Sequence, residues 1–181
     1  MSRGDERLEY ATAWHARSKE TEDVFDRFFS LWIALNIIFT IQWDKDTLHI
    51  TDGRTAPKKV KSDWQIVRAC FRANHNIVHG VLEQQQENVR WLVFRTSPDG
   101  KVIVDTKYLP YQSVNEAIRK HYAGEDVLPD KDLAEKMGLL FNEIRNNLFH
   151  GSKNYNSSDD REVLTHVNPI LNDLLISFIS K

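Results

Sequence analysis

Along most of this chain, apolar residues recur at spacings of three and four, the pattern of helices that each bury one face. The most apolar stretch covers residues 21–43, where Val24, Phe25, Phe28, Phe29, Leu31, Trp32, Leu35, Ile38 and Phe39 leave almost no polar side. A helix that is apolar nearly all round predicts a central place in a bundle, with neighbours on several sides. Trp64, Val67, Phe71, Val78 and Leu82 form a second stripe and predict a helix over 64–86. Ser113 with Glu116 has the spacing of a capping box and opens a shorter helix that runs to about Ala123. Asp130 or Asp132 caps the next helix, whose stripe is Met137, Leu140, Phe141, Ile144 and Leu148 and whose stop residue is Gly151. Asp159 or Asp160 opens the last helix, lined by Val163, Val167, Ile170, Leu171, Leu174 and Phe178, and Pro169 is expected to kink or split it.

Two segments break the pattern. Residues 1–19 mix charges without strong periodicity and are read as a charged arm or a short helix. Further on, Trp91 to Phe94 and Val102 to Val104 flank Ser97-Pro98-Asp99-Gly100, which predicts a β-hairpin near 91–105 as an insertion over 89–108. The expected fold is therefore all-α, a single domain of four to six helices carrying one small hairpin.

Composition narrows the function classes. The 181 residues suit one domain, and 41% apolar content with five Trp and nine Phe supplies a real core. With 24 Lys and Arg against 26 Asp and Glu, the chain lacks the positive coat of a tight non-specific nucleic-acid binder, while leaving room for a local basic cleft. The run Lys58-Lys59-Val60-Lys61 in the loop over 44–63 is one candidate RNA contact, through Lys58, Lys59 and Lys61. Cys70 is the single cysteine, which excludes an internal disulfide and any multi-cysteine zinc site and points to a reducing cytosol. The first 23 residues are too polar for a secretory signal, and the apolar run from Phe28 to Ile41 reads as too short for a membrane span.

The helix before Gly151 carries the candidate chemistry. Opposite its apolar stripe lie Asn146 and His150, one turn apart, with Leu139, Asn142 and Phe149 near them. That side is poor in Lys and Glu for a solvated face, which suggests a second buried surface, most simply a homodimer interface formed by Leu139, Asn142 and Phe149. Arg145 sits on the shoulder between the two sides and can reach either way. Arginine can hold a phosphate, histidine can move a proton at neutral pH, and Asn146 can orient the imidazole or bind phosphate. The alternative is structural: Arg145 pairs with an acid, Asn146 caps a loop and His150 caps the helix end. Arg72 and His79, seven apart and so on one face of the helix over 64–86, form a runner-up pair. His75 and His79 have zinc spacing, but the glutamate and third ligand of such a site are missing; no metal and no cofactor are expected.

The string Arg145-Asn146-Asn147-Leu148-Phe149-His150-Gly151, followed by a polar loop and a final apolar helix, resembles the HEPN superfamily. The likeness extends through residues 154–161 into the last helix and weakly to residues 27–36; residues 44–130 do not align. The resemblance implies a HEPN-like helical bundle and a metal-independent endoribonuclease with Arg145, Asn146 and His150 as catalytic residues. It further implies a homodimer whose two motif helices line one cleft, an RNA substrate, and a toxin or anti-phage defence setting with an antitoxin or larger assembly as partner. Some members of that superfamily are instead non-catalytic dimerisation or RNA-binding modules. Where some HEPN toxins carry a modifiable tyrosine two residues after the histidine, this chain has Ser152.

Overall fold

A computed structural model describes residues 3–44, 62–94, 109–149 and 158–180. All of the ordered structure in them is helical, and no strand occurs among the described residues. Among the described residues there are eight helices: α1 (Arg3–Glu20), α2 (Val24–Asp44), α3 (Asp63–Ala73), α4 (His75–Gln84), α5 (Gln86–Phe94), α6 (Leu109–Ala123), α7 (Asp130–Phe149) and α8 (Ser158–Ile179).

Helix α2 takes the central place its composition predicts. It packs on α1, α3 and α8, and buries Phe28, Leu31, Trp32, Leu35 and Phe39 among other residues. At 21 residues and a mean hydropathy of 1.6 it is long and apolar enough to cross a membrane, as core helices of soluble proteins also are; half of that stretch is buried against the rest of the chain. Its start is fixed by Asp23, whose Oδ1 accepts the backbone N–H of Phe25 at 2.9 Å and of Asp26 at 3.1 Å. The other oxygen, Oδ2, accepts from Arg161 on α8 at 3.1 Å. Asp23→Ala removes the cap and the cross-helix pair together and is expected to cost about 1–2 kcal/mol, read from urea midpoints.

Helix α8 runs beside α2 in the same direction, Arg161 meeting Asp23 at one end and Phe178 meeting Phe39 at the other. It continues unbroken as one helix through Pro169. A buried amide beside the proline, Asn168, donates to the carbonyl of Val24 at 2.9 Å and ties the two helices together. Helix α7 is clasped by α3, α4 and α6. Its closest approach is to α3, where Gly138 faces Phe71: a Cβ at 138 would lie 2.7 Å from Phe71 Cγ.

Three expectations are corrected. Residues 3–20 form a full helix rather than an arm, because Ala11, His15 and Ser18, one face of α1, are buried against its neighbours. The helix expected over 64–86 is two, α3 and α4, broken at Asn74 and ending before Gln85, and the eight helices among the described residues exceed the four to six expected. The first predicted hairpin strand, Trp91 to Phe94, is helical within α5. Val89, Leu92 and Val93 are buried and α5 packs on α8 and α6, so tertiary burial overrides the β-propensity of a short apolar run. Residues 95–108, with the rest of that hairpin, lie outside the described residues. Helix α6 also begins earlier than Ser113, which lies inside it.

Candidate active site

The expected stripe of α7 is buried at Met137, Leu140, Phe141 and Ile144, with Leu148 packed at its edge. Past Ile144 the helix becomes half-buried, and this is where Arg145, Asn146 and Asn147 stand. Arg145 donates from Nη1 to Asn146 Oδ1 at 2.9 Å. Its Nη2 lies 3.6 Å from Asp63 Oδ2, at the first residue of α3. So the structural alternative for Arg145, pairing with an acid, is met in part. The pair is long beside the 2.6 Å of Arg68 Nε to Glu135 Oε1 on the same two helices, and the Asp63 side chain is 66% exposed. An ion pair of that length and exposure contributes between nothing and about 1 kcal/mol. His150 follows the last residue of α7 and lies outside the described residues, as do Lys58, Lys59 and Lys61 and the side chain of Phe149.

The outward placement of Asn142 is corrected. It is 2% exposed within the single chain, and its neighbour Glu143 is 3% exposed. With α3, α4 and α6 all packed on α7, the side opposite the apolar stripe is covered by the chain itself along this stretch. Leu139 likewise packs against the core. Asn142 Oδ1 has no hydrogen-bond partner among the described residues. An orphaned buried oxygen of this kind costs about 1–3 kcal/mol, and it lies one turn before Asn146 on the same side of the helix.

Arg72 and His79, the runner-up pair, stand on different helices, and both reach toward the start of α7. Arg72 ends α3 and is held by two carboxylates of α7, Asp132 at 2.6 Å and Glu135 at 2.9 Å. His79 belongs to α4, beyond the break at Asn74, and lies 3.6 Å from Glu83 and 3.9 Å from Asp130. Arg72 therefore cross-links α3 to α7, while His79 faces a cleft with His121, a grouping that the sequence reading missed. His75 is half-buried, and its Nδ1 lacks a hydrogen-bond partner among the described residues. Among the described residues, no group of three or more His, Cys, Asp or Glu side chains is placed to hold a metal ion. Cys70 is buried, and burial pushes its thiol up to about 12, so thiolate chemistry is not available to it.

His121 Nδ1 accepts the backbone N–H of Leu128 at 3.0 Å, which requires that nitrogen to be unprotonated. Burial, and secondarily the charge on His79, lower its pKa; Asp130 opposes them. The folded state thus binds fewer protons here than the unfolded chain, so stability from this group is present above the ordinary imidazole value of about 6.5 and is lost as pH falls through it. Melting temperatures taken across that range should fall on acidification, and His121→Gln should flatten the slope. An unchanged slope would show that His121 does not contribute to it.

Compared with known proteins, the chain matches no family model, no curated protein and no solved structure.

Proposed function

We propose that this chain is a metal-independent endoribonuclease of the HEPN kind, acting as a homodimer through Arg145, Asn146 and His150. The observation that carries the proposal is the direct contact of Arg145 with Asn146 at 2.9 Å at the C-terminal end of α7, immediately before position 150. A guanidinium, an amide and an imidazole within six residues of the chain supply the groups that RNA transesterification needs. In the reaction the RNA 2′-hydroxyl gives its proton to His150 and its oxygen attacks the adjacent phosphorus. The bond from phosphorus to the 5′-oxygen breaks, and that oxygen takes a proton from a histidine acting as acid. Arg145 holds the phosphate and offsets charge that builds on its oxygens, with Asn146 orienting the guanidinium. One Arg–His pair is sparse for both proton transfers, which is why the proposal includes a second copy whose motif helix faces the first. Since Asn142 is buried within the single chain, the contact is proposed at the end of α7 beyond Ile144. The setting proposed is cytosolic, in toxin or anti-phage defence.

A second reading has its own observation. The Asp63 pair engages Arg145 within the chain, as a non-catalytic dimerisation or RNA-binding module would allow. Product chemistry separates the two. A fluorescent RNA incubated with the protein should yield fragments ending in a 2′,3′-cyclic phosphate and a 5′-hydroxyl, identified by mass spectrometry. Intact RNA, or fragments ending in 3′-hydroxyl and 5′-phosphate, would reject the transesterification reading.

A further inference from the structure

A cleft of about 610 Å³ opens between α4, α5 and α6 at the start of α7. Its volume is in the range of small-molecule sites. The floor is apolar, formed by Leu82, Leu133 and Tyr122. The rim carries His79, Arg90 and His121. Leu133 and Arg145 are separated along α7 by about 18 Å at the helical rise, so the cleft is not part of the Arg145 site.

Three observations bear on what the cleft takes. Arg90 has no acid partner among the described residues; its guanidinium lies over the Phe94 ring at 5.5 Å. Arg7, Arg68, Arg72, Arg145 and Arg161 are each paired with a carboxylate, while Arg27 and Arg119 bond backbone carbonyls and Arg17, like Arg90, lies over an aromatic ring. His121 has its Nδ1 committed to the Leu128 N–H, which places its own proton on Nε2 and leaves that nitrogen as a donor. His79 lies 3.6 Å from Glu83 and 3.9 Å from Asp130, both longer than a hydrogen bond, so its ring is not locked by either. An unpaired guanidinium with two imidazoles fits a compact anion, and the apolar floor with its tyrosine fits a flat organic body. Glu83, on the rim, can accept from an amino or hydroxyl group of that body and disfavours a bare multivalent anion.

We propose that the cleft of His79, Arg90 and His121 binds the phosphate end of a nucleotide, with its base lying on the floor of Leu82, Leu133 and Tyr122. The phosphate belongs to a free nucleoside monophosphate or to the terminus of an RNA strand. The binding requires no covalent step and does not depend on cleavage at Arg145.

Calorimetric titration of the full chain tests this. 5′-AMP should bind at least tenfold more tightly than adenosine or inorganic phosphate, since each of those lacks half of the contacts. Arg90→Gln should weaken AMP at least tenfold, the loss of one charge-assisted contact. Arg17→Gln, a surface arginine over Trp14, should leave binding unchanged. Circular dichroism of each variant guards against unfolding. A short RNA is titrated with and without a 5′-phosphate: binding by the phosphorylated strand alone assigns the site to RNA ends, and binding by AMP alone assigns it to free nucleotide. Failure of both AMP and phosphorylated RNA at millimolar concentration, or equal affinities for wild type and Arg90→Gln, would overturn the proposal.

Discussion

Replacing Phe71 with alanine is expected to destabilise the fold by about 3–5 kcal/mol, the largest loss foreseen for any single truncation here. Phe71 is fully buried and its ring meets three others, Phe39 at 5.7 Å, Phe141 at 6.0 Å and Phe178 at 6.4 Å. These partners come from α2, α7 and α8, so one side chain joins the two central helices to the helix that carries the candidate site. The same ring explains Gly138. A Cβ there would meet Phe71 Cγ at 2.7 Å, Cδ2 at 2.9 Å and Cβ at 3.0 Å, and a ring held on three sides has little room to give. Gly138→Ala therefore sets an overpacking cost of about 1–3 kcal/mol against a helix-propensity gain of about 1 kcal/mol, for a net loss of up to about 2 kcal/mol. In the Phe71→Ala background the Cγ and Cδ2 contacts are gone and only the Cβ contact at 3.0 Å remains, so the same substitution should cost less than in the wild-type background. Chemical denaturation of the four proteins measures this difference; an equal effect of Gly138→Ala in both backgrounds would show that α3 and α7 do not meet as described.

Loss of Arg145 or of His150 is expected to have the largest effect on activity. If its guanidinium offsets charge on the phosphate oxygens during transesterification, Arg145→Ala should slow RNA cleavage by about 10²–10³-fold. Removing the general base and acid with His150→Ala should slow it by about 10²–10⁴-fold. Lysine at 145 keeps the charge but loses the planar fork, and should restore only part of the rate. Arg72→Ala gives the contrast. Its guanidinium is bound by Asp132 and Glu135 on α7, so the cost should fall on stability while the cleavage rate of the folded protein is kept. Stopped reactions on labelled RNA supply the rates, and melting curves supply the stability. Equal cleavage by wild type and Arg145→Ala would remove this residue from the chemistry.

The parts of this fold that could be read from the chain are those where large apolar residues keep the helical period. Helix α2, the stripe of α7 and the stripe of α8 all stand where the spacing places them. Helix α1 was hidden because its buried side consists of Ala11, His15 and Ser18, residues with little hydrophobic signal. Helix α5 was hidden because Trp91 to Phe94 is short and rich in residues that favour strands, and only its packing on α8 decides between the two states. The breaks at Asn74 and Gln85 involve neither glycine nor proline. Asn74 is held by long-range contact, its amide reaching Gln42 at 3.1 Å. The contact between Arg145 and Asn146 follows from adjacency on one helix. The burial of Asn142 does not, since it depends on how other helices pack around α7. Nor could spacing have paired His79 with His121, which come from different helices and meet only across the cleft.

The measurement that bears most directly on the central proposal is cleavage of a labelled RNA in excess EDTA by wild type, Arg145→Ala and His150→Ala, each shown to be folded. Cleavage by the wild-type protein that is lost in both variants is the predicted result. An inactive wild type, or variants that cleave as fast as it does, would contradict it.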